Sequence, residues 1–182
     1  MSAPVTPAPL KLWHVSEQPD IAVFEPRLPP NRDAAVATPV VWAVDDACLP
    51  HYLVPRDCPR VAFRALPTTT PHDLAHFFGD GSSRHVLAIE QDWHARAQST
   101  PLYLYALPAR SFRCIDANAG YHVSDQTVRP EAVHRLAQPL SLLTERGVAL
   151  RVVPQLWPLA REVVASSLGF SCIRMRNARA QD

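Results

Sequence analysis

Two side chains that can hydrogen-bond to a ligand, His14 and Ser16, stand two positions apart in the segment KLWHVSE at residues 11–17. In an extended strand, residues two apart point to the same face of the sheet. An imidazole and a hydroxyl on one face, near the end of a strand, can contact the hydroxyl groups of one small molecule. The pattern therefore predicts a ligand site there. The alternative is that His14 is a core residue with one satisfied nitrogen.

A second group of polar side chains lies in the segment PRDCPR at residues 55–60. Arg56 and Arg60 could hold a phosphate, and these cations could lower the pKa of Cys58 enough to make its thiolate a nucleophile. The structural interpretation is a turn fixed by two prolines, in which Asp57 pairs with an arginine and Cys58 is buried. The sequence favours the structural interpretation, because no histidine stands beside Cys58 to act as its base.

The segment HDLAH places His72 and His76 four residues apart, the spacing of two zinc ligands on one face of a helix. Asp73 stands where a metalloprotease has a longer glutamate, and the sequence offers no evident third ligand. We therefore expect exposed histidines and no metal site, and a metal-dependent hydrolase is the least favoured function.

Several nucleotide-binding and hydrolase motifs are missing from the chain. It has five glycines, too few and too scattered for a dinucleotide fingerprint or a P-loop. No G-x-S-x-G sequence occurs, so the commonest serine-hydrolase motif is excluded as well.

The amino-acid composition also limits the classes of partner that the chain is expected to bind. Lysine and arginine number 18 against 17 acidic residues, so no excess charge points to nucleic acid or an anionic membrane as a partner. The four cysteines form no C-x-x-C pair, and no apolar run reaches the roughly 18 residues that a membrane helix needs. These features predict a cytoplasmic protein with reduced thiols.

Prolines and turn signals divide the chain into many short elements. We expect a disordered tail at 1–9, a single globular domain at 10–178 and a second tail at 179–182. Short apolar or alternating runs predict strands at 11–17, 40–44, 60–66, 85–90, 102–107, 111–116, 120–124, 148–153 and 170–175. Helices are predicted at 47–53, 73–78, 91–98, 130–146 and 158–168. The result is an α+β fold with a curved antiparallel or split sheet and short flanking helices.

The chain resembles an uncharacterised bacterial domain family in four segments that span nearly its whole length, namely LWHVSE, IAVFEPR, PRDCPRV and VVASSLGFSCIRMRNA. That resemblance names no activity. More distantly, residues 12–16 are similar to the first strand of ADP-ribosyltransferase-like folds, where an aromatic-His-x-Ser/Thr pattern presents a histidine to the ribose of NAD. In that superfamily a second strand brings an aromatic residue against the nicotinamide. The segment VWAVD at 41–45 is similar, with Trp42 at the aromatic position.

The superfamily's third element is a glutamate near a late strand. The corresponding region here, 115–130, contains Tyr121 and His122 but no glutamate before Glu131. The RNA 2′-phosphotransferase branch of the superfamily lacks this glutamate and uses basic residues. Four arginines of this chain are candidates for that role, namely Arg56, Arg60, Arg174 and Arg176.

The resemblance implies an ADP-ribosyltransferase-like domain that binds NAD or another nucleotide between its first two strands, with NAD as a possible substrate and no certain cofactor. Such an enzyme would transfer ADP-ribose or a phosphate, with an arginine holding the pyrophosphate and electrostatic stabilisation of an oxocarbenium-like centre. The expected catalytic residues are His14 and Arg60, and the expected ligand-binding residues are Ser16, Trp42, Arg56, Tyr121 and His122. The alternative is a non-catalytic ligand-sensing or interaction domain, which the missing glutamate favours.

Overall fold

The computed structural model describes residues 10–29 and 36–180, so the expected tail at 1–9 lies outside the described residues. The strands are β1 (Leu12–Ser16), β2 (Val41–Asp45), β3 (Arg60–Arg64), β4 (His85–Glu90), β5 (Leu102–Leu107), β6 (Arg113–Asp116), β7 (Tyr121–Ser124), β8 (Ala132–Leu136), β9 (Ala149–Val153) and β10 (Gly169–Ile173). The helices are α1 (Pro71–Phe78), α2 (Gln91–Ser99), α3 (Pro139–Glu145) and α4 (Trp157–Val164). A 3₁₀ turn at Leu49–Tyr52 follows β2.

Local chemistry accounts for the ends of α1. The Thr70 side chain accepts a hydrogen bond from the Asp73 amide, which satisfies one of the free donors of the first turn. Pro71 fits the first helical position because no intrahelical partner exists there for an amide. At the other end, Gly79 takes a positive φ of 52° and stops the helix.

The strands form two sheets. The six-stranded sheet has the order β6-β7-β2-β1-β5-β8, and all its neighbouring pairs are antiparallel. The four-stranded sheet has the order β10-β3-β4-β9, in which only β4 and β9 run parallel. The predicted α+β class and split, mostly antiparallel sheet are therefore confirmed.

Three apolar layers and one smaller cluster hold the sheets and helices together, and in the smaller cluster Trp42 packs against Val36, Val40 and Val123. The central layer lies between the sheets, where Val44 and Leu104 meet Ala62, Leu87 and Ile89 around the 3₁₀ turn. A second layer joins the far side of the four-stranded sheet to α1 and α4. A third covers the opposite, outer face of the six-stranded sheet. The face of the six-stranded sheet that meets the central layer is called its inner face below.

The predicted helix at 130–146 is wrong. Residues 132–136 instead form β8, which pairs with β5 along its whole length, and helix α3 begins only at Pro139. Four of the five β8 residues are exposed, so a helix there would have had little apolar surface to bury. Pairing with β5 satisfies the backbone hydrogen-bonding groups of residues 132–136 instead.

Two smaller differences concern the helix at 47–53 and the C-terminal segment. The helix is shortened to the 3₁₀ turn. The Arg179 amide donates to the Glu90 carboxylate and the Ala180 carbonyl accepts from Gln155, so hydrogen bonds of the fold extend into the segment expected to be a tail. None of the described helices has the length and apolar character that a membrane span requires.

Candidate functional site

His14 lies on the outer face of the six-stranded sheet. It is paired with Tyr105 of β5, its ring packs 4.7 Å from that of Phe24, and its Nδ1 is 3.0 Å from the carbonyl oxygen of Trp42. Burial lowers the pKa of His14, the Trp42 carbonyl opposes this shift, and the charge of Arg56 adds to it. The imidazole is therefore a neutral, half-buried group that ties β1 to β2.

Trp42 does not share a face with His14, which corrects the expectation of a common cleft. The antiparallel register pairs Trp13 with Val44, so these two side chains point to the inner face. Trp42 is two positions from Val44 and follows it to the inner face, whereas His14 alternates with Trp13 and points outward. The indole instead meets Tyr121 edge to face, with 5.4 Å between ring centroids.

Ser16 and His122 also lie apart from Trp42. The Ser16 hydroxyl accepts a hydrogen bond from the Gln18 amide and so forms part of the turn that ends β1. His122 alternates with Tyr121 along β7 and is therefore on the outer face. It is buried, with Nδ1 3.2 Å from the Gly120 carbonyl oxygen. The structure thus does not bring His14, Ser16 and His122 together with Trp42.

A different set of side chains does converge, and we call it the aromatic–arginine cluster: Trp42, Tyr52, Tyr121, Arg60 and Arg174. The ring centroid of Tyr121 lies 5.4 Å from that of Trp42 and 6.0 Å from that of Tyr52. The guanidinium carbon of Arg60 lies 5.5 Å from the Tyr52 ring centroid. Strands of both sheets and the 3₁₀ turn therefore contribute to one cluster.

Arg60 is buried without a counter-charge. It is 4% exposed, and its Nε and Nη1 donate to the carbonyl oxygens of His51, Arg56 and Cys58. No carboxylate of the described residues forms an ion pair with it, and its Nη2 makes no hydrogen bond to them. Burial lowers the pKa of Arg60, but an arginine remains charged near neutral pH. A desolvated charge that is held by carbonyl dipoles and one aromatic ring, without an ion-pair partner among the described residues, is costly.

Arg174 follows β10 and lies close to Arg60 because β10 pairs with β3. Its Nε donates to the Arg56 carbonyl, which also accepts from Arg60, and lies 4.0 Å from a carboxylate oxygen of Asp57. The backbone of Arg174 has φ 55°, a left-handed conformation that costs a non-glycine residue roughly 1–2 kcal/mol. Such strained residues concentrate at functional sites.

Arg56 connects this cluster to the end of β1. Its amide donates to the Glu17 carboxylate at 2.9 Å, and its carbonyl is the oxygen shared by the two other arginines. Its charge acts on both His14 and Arg174. The structure therefore brings Arg56, Arg60 and Arg174 together, a convergence that the sequence alone did not reveal.

Two polar atoms in the cluster are buried without hydrogen-bond partners among the described residues, namely Trp42 Nε1 and the Tyr52 hydroxyl. Burial raises the pKa of Tyr52, and the nearby Tyr121 hydroxyl raises it further. An unpartnered buried donor is unfavourable by about 1–3 kcal/mol. A bound ligand with acceptor atoms would satisfy both donors.

Behind the cluster, His51 is held by two polar neighbours. Its Nδ1 is 2.8 Å from the Ser171 hydroxyl, and its Nε2 is 2.8 Å from Nε2 of His85. Burial, then His85 and the nearby arginines, lower the pKa of His51 well below its usual value. Burial and Arg64 lower that of His85 to about 4. Both rings are neutral at pH 7 and fix the carbonyl that accepts from Arg60.

The remaining chemical candidates have structural surroundings. Cys58 is fully buried and burial raises its thiol pKa to about 12, so it is not an activated nucleophile. His76 is exposed and pairs with Glu162 at 3.2 Å. Across the described ranges, no group of three or more His, Cys, Asp or Glu side chains could hold a metal ion.

Trp42, Tyr121 and the three arginines are candidates that the sequence already offers, whereas nothing in the sequence singles out Tyr52. Tyr52 ends a four-residue 3₁₀ turn, which is too short to show a hydrophobic period. The Ser171–His51–His85 contacts were missed because 120 residues separate His51 from Ser171.

Comparison with known proteins identifies a family and no activity. Neither the curated proteins nor the solved structures contain a match to this chain. The likeness to ADP-ribosyltransferase-like folds therefore stays a prediction. A family model described as "Family of unknown function (DUF6886)" matches residues 13–178, which include every residue of the aromatic–arginine cluster. The chain belongs to this family of unknown function.

Proposed function

We propose that this protein binds a nucleotide, with NAD or ADP-ribose as the favoured ligands, at the aromatic–arginine cluster. The observation that carries the proposal is Arg60, a buried cation that forms no ion pair with any described carboxylate. A phosphate would supply the missing negative charge and accept hydrogen bonds from the unused Nη2.

The aromatic side chains account for the second half of a nucleotide. The Tyr121 ring lies between two other aromatic rings, with its centroid 5.4 Å from that of Trp42 and 6.0 Å from that of Tyr52. Planar bases and the nicotinamide ring pack well on such groups. The unpartnered Trp42 Nε1 and Tyr52 hydroxyl are donors for the oxygen and nitrogen acceptors of a base or amide.

His14 has a different role from the one expected for it. Because it lies on the outer face and contacts the Trp42 carbonyl, we assign it to positioning the first residues of β2. Arg60 keeps its proposed role in binding the phosphate. Neither assignment requires His14 to touch the ligand.

A non-catalytic ligand sensor is the second candidate. Two carboxylates near the arginines already have partners: Asp57 lies 4.0 Å from Arg174, and the Glu17 carboxylate accepts from the Arg56 amide. Their existing contacts favour binding without ADP-ribose transfer. Release of nicotinamide from NAD by the purified protein would identify a transferase or hydrolase, and binding without release would identify a sensor.

A thermal-shift panel of NAD, ADP-ribose, AMP and inorganic phosphate tests the proposal. A ligand at about 100 times its Kd stabilises the native state by about 2.7 kcal/mol, which raises the Tm of a domain this size by roughly 5–11 °C. Arg60→Lys keeps the charge but loses the planar fork, so we expect affinity to fall about 10- to 150-fold, as for a hydrogen bond to a charged group.

The matched control is Arg135→Lys. Arg135 is exposed on β8, at the edge of the six-stranded sheet opposite β6 and β7, and its replacement should leave binding unchanged. No shift with any nucleotide at millimolar concentration, or equal shifts in the wild type and Arg60→Lys, would overturn the proposal.

A further inference from the structure

A pocket opens at the other end of β3 from Arg60. It has a volume of about 380 Å³, and its walls come from the end of β3, the turn between β6 and β7 and the residue before β10: Arg64, Leu66, Ala117, Asn118 and Leu168. Arg60 and Arg64 point to the same face of β3, four residues apart, so their Cα atoms are separated by about 13 Å. The pocket is therefore distinct from the aromatic–arginine cluster.

Arg64 brings an unpaired positive charge to this pocket. Its Nε is buried and makes no hydrogen bond with the described residues, and none of their carboxylates forms an ion pair with it. The two histidines beside it, His51 and His85, are neutral at pH 7 because burial and the arginine charges lower their pKa values. No neighbouring side chain neutralises the guanidinium from that side.

Asn118 adds neutral donors next to this charge. Its Oδ1 accepts from the Phe170 amide at 3.0 Å, which orients the side-chain amide and leaves its Nδ2 without a partner among the described residues. Gly169 leaves room for this contact, since a Cβ there would lie only 3.1 Å from the same oxygen. The glycine allows the Asn118 turn to approach β10 closely.

The other walls are apolar. Leu66, Ala117 and Leu168 line the open space beside the guanidinium, and the volume is at the lower end of the range for small-molecule pockets. A ligand that suits these walls has a planar anionic head for Arg64 and Asn118 and a short hydrocarbon body. We propose that this pocket binds a small monocarboxylate of about four to seven carbons. The carboxylate accepts from Arg64 and from Asn118 Nδ2, and its carbon chain lies against the leucines.

Solution NMR of the full chain tests this proposal with hexanoate as the probe. Saturable shifts of the Arg64 Nε–H and Asn118 side-chain amide signals are expected at millimolar hexanoate, with ionic strength held constant. Hexanol, which lacks the charge, and inorganic phosphate, which lacks the hydrocarbon body, should bind at least tenfold more weakly. Equal or tighter binding of phosphate would overturn the monocarboxylate assignment.

Two variants locate the site. Arg64→Gln removes the charge and Ala117→Phe fills the pocket from an exposed position, so each should weaken hexanoate binding at least tenfold. Arg135→Gln is the control and should bind normally. Unchanged affinity in the folded Ala117→Phe protein would overturn the proposal even if Arg64→Gln failed to fold. ADP-ribose binding should survive Ala117→Phe, so failure of this site is distinguishable from failure at Arg60.

Discussion

The Tyr52 hydroxyl offers a test in which stability and binding change in opposite directions. This hydroxyl is buried without a hydrogen-bond partner among the described residues. Tyr52→Phe removes it and leaves the ring contacts with Tyr121 and Arg60 in place. Removing a buried unpartnered donor should stabilise the free protein by about 1 kcal/mol, which corresponds to a Tm increase of roughly 2–4 °C.

The same change should weaken nucleotide binding. If the hydroxyl donates to a ligand, its loss costs about 0.5–1.5 kcal/mol of binding free energy, or about a 2- to 13-fold increase in Kd. Differential scanning calorimetry of the free protein measures the first effect, and isothermal titration with ADP-ribose measures the second.

Tyr105→Phe is the matched control. The Tyr105 hydroxyl donates to the Gln18 carbonyl and accepts from the Ile21 amide, so its removal should lower the Tm and leave binding unchanged. A Tyr52→Phe protein that loses stability but keeps its affinity for ADP-ribose would refute the reasoning.

Three further predictions follow from the site. His14→Ala should lower the free energy of unfolding by about 1–3 kcal/mol, because the contact with the Trp42 carbonyl is lost. The affinity for ADP-ribose should stay within about twofold in calorimetric titrations. Lost binding at an unchanged Tm would instead place His14 in the ligand site. Arg174→Gly and Arg174→Ala should both weaken ADP-ribose binding. Chemical denaturation should find the glycine variant more stable by about 1 kcal/mol, because a φ of 55° strains alanine and not glycine. Equal stabilities of the two variants would contradict strain at this position. Because folding lowers the pKa of His85 from 6.5 to about 4, the unfolded chain binds more protons between these values. Stability is then fully present above pH 6.5 and falls by roughly 3 kcal/mol as the pH drops to 4, and a denaturation series should show a smaller decrease for His85→Gln than for the wild type.

The fold class could be predicted because local patterns and packing agree over most of the chain. Strand β3 alternates in sequence and is almost entirely buried, and helix α1 has a threonine cap, a proline at its start and a glycine at its end. The segment at 130–146 lacked this agreement. There pairing with β5 decided the structure, and this pairing cannot be read from residues 132–136 alone.

The candidate site could be predicted only in part, because alternation within a strand does not reveal the register between strands. His14 and Ser16 do share a face, as expected. Trp42 points the other way because the register pairs Trp13 with Val44. For the arginines, by contrast, residue type was informative and spatial position was not. Their types suggested an anion site, but only the pairing of β10 with β3 brings Arg174 within hydrogen-bond distance of Arg56, 118 residues away.

Photoaffinity labelling tests most directly where a nucleotide binds. An azido-substituted ADP-ribose would be crosslinked to the wild-type protein and the modified peptides mapped by mass spectrometry. Binding at the aromatic–arginine cluster should label peptides that contain Trp42, Tyr52 or Tyr121, and the labelling should disappear when unlabelled ADP-ribose is added in excess. Labelling confined to other peptides, or labelling that excess ADP-ribose does not reduce, would contradict it.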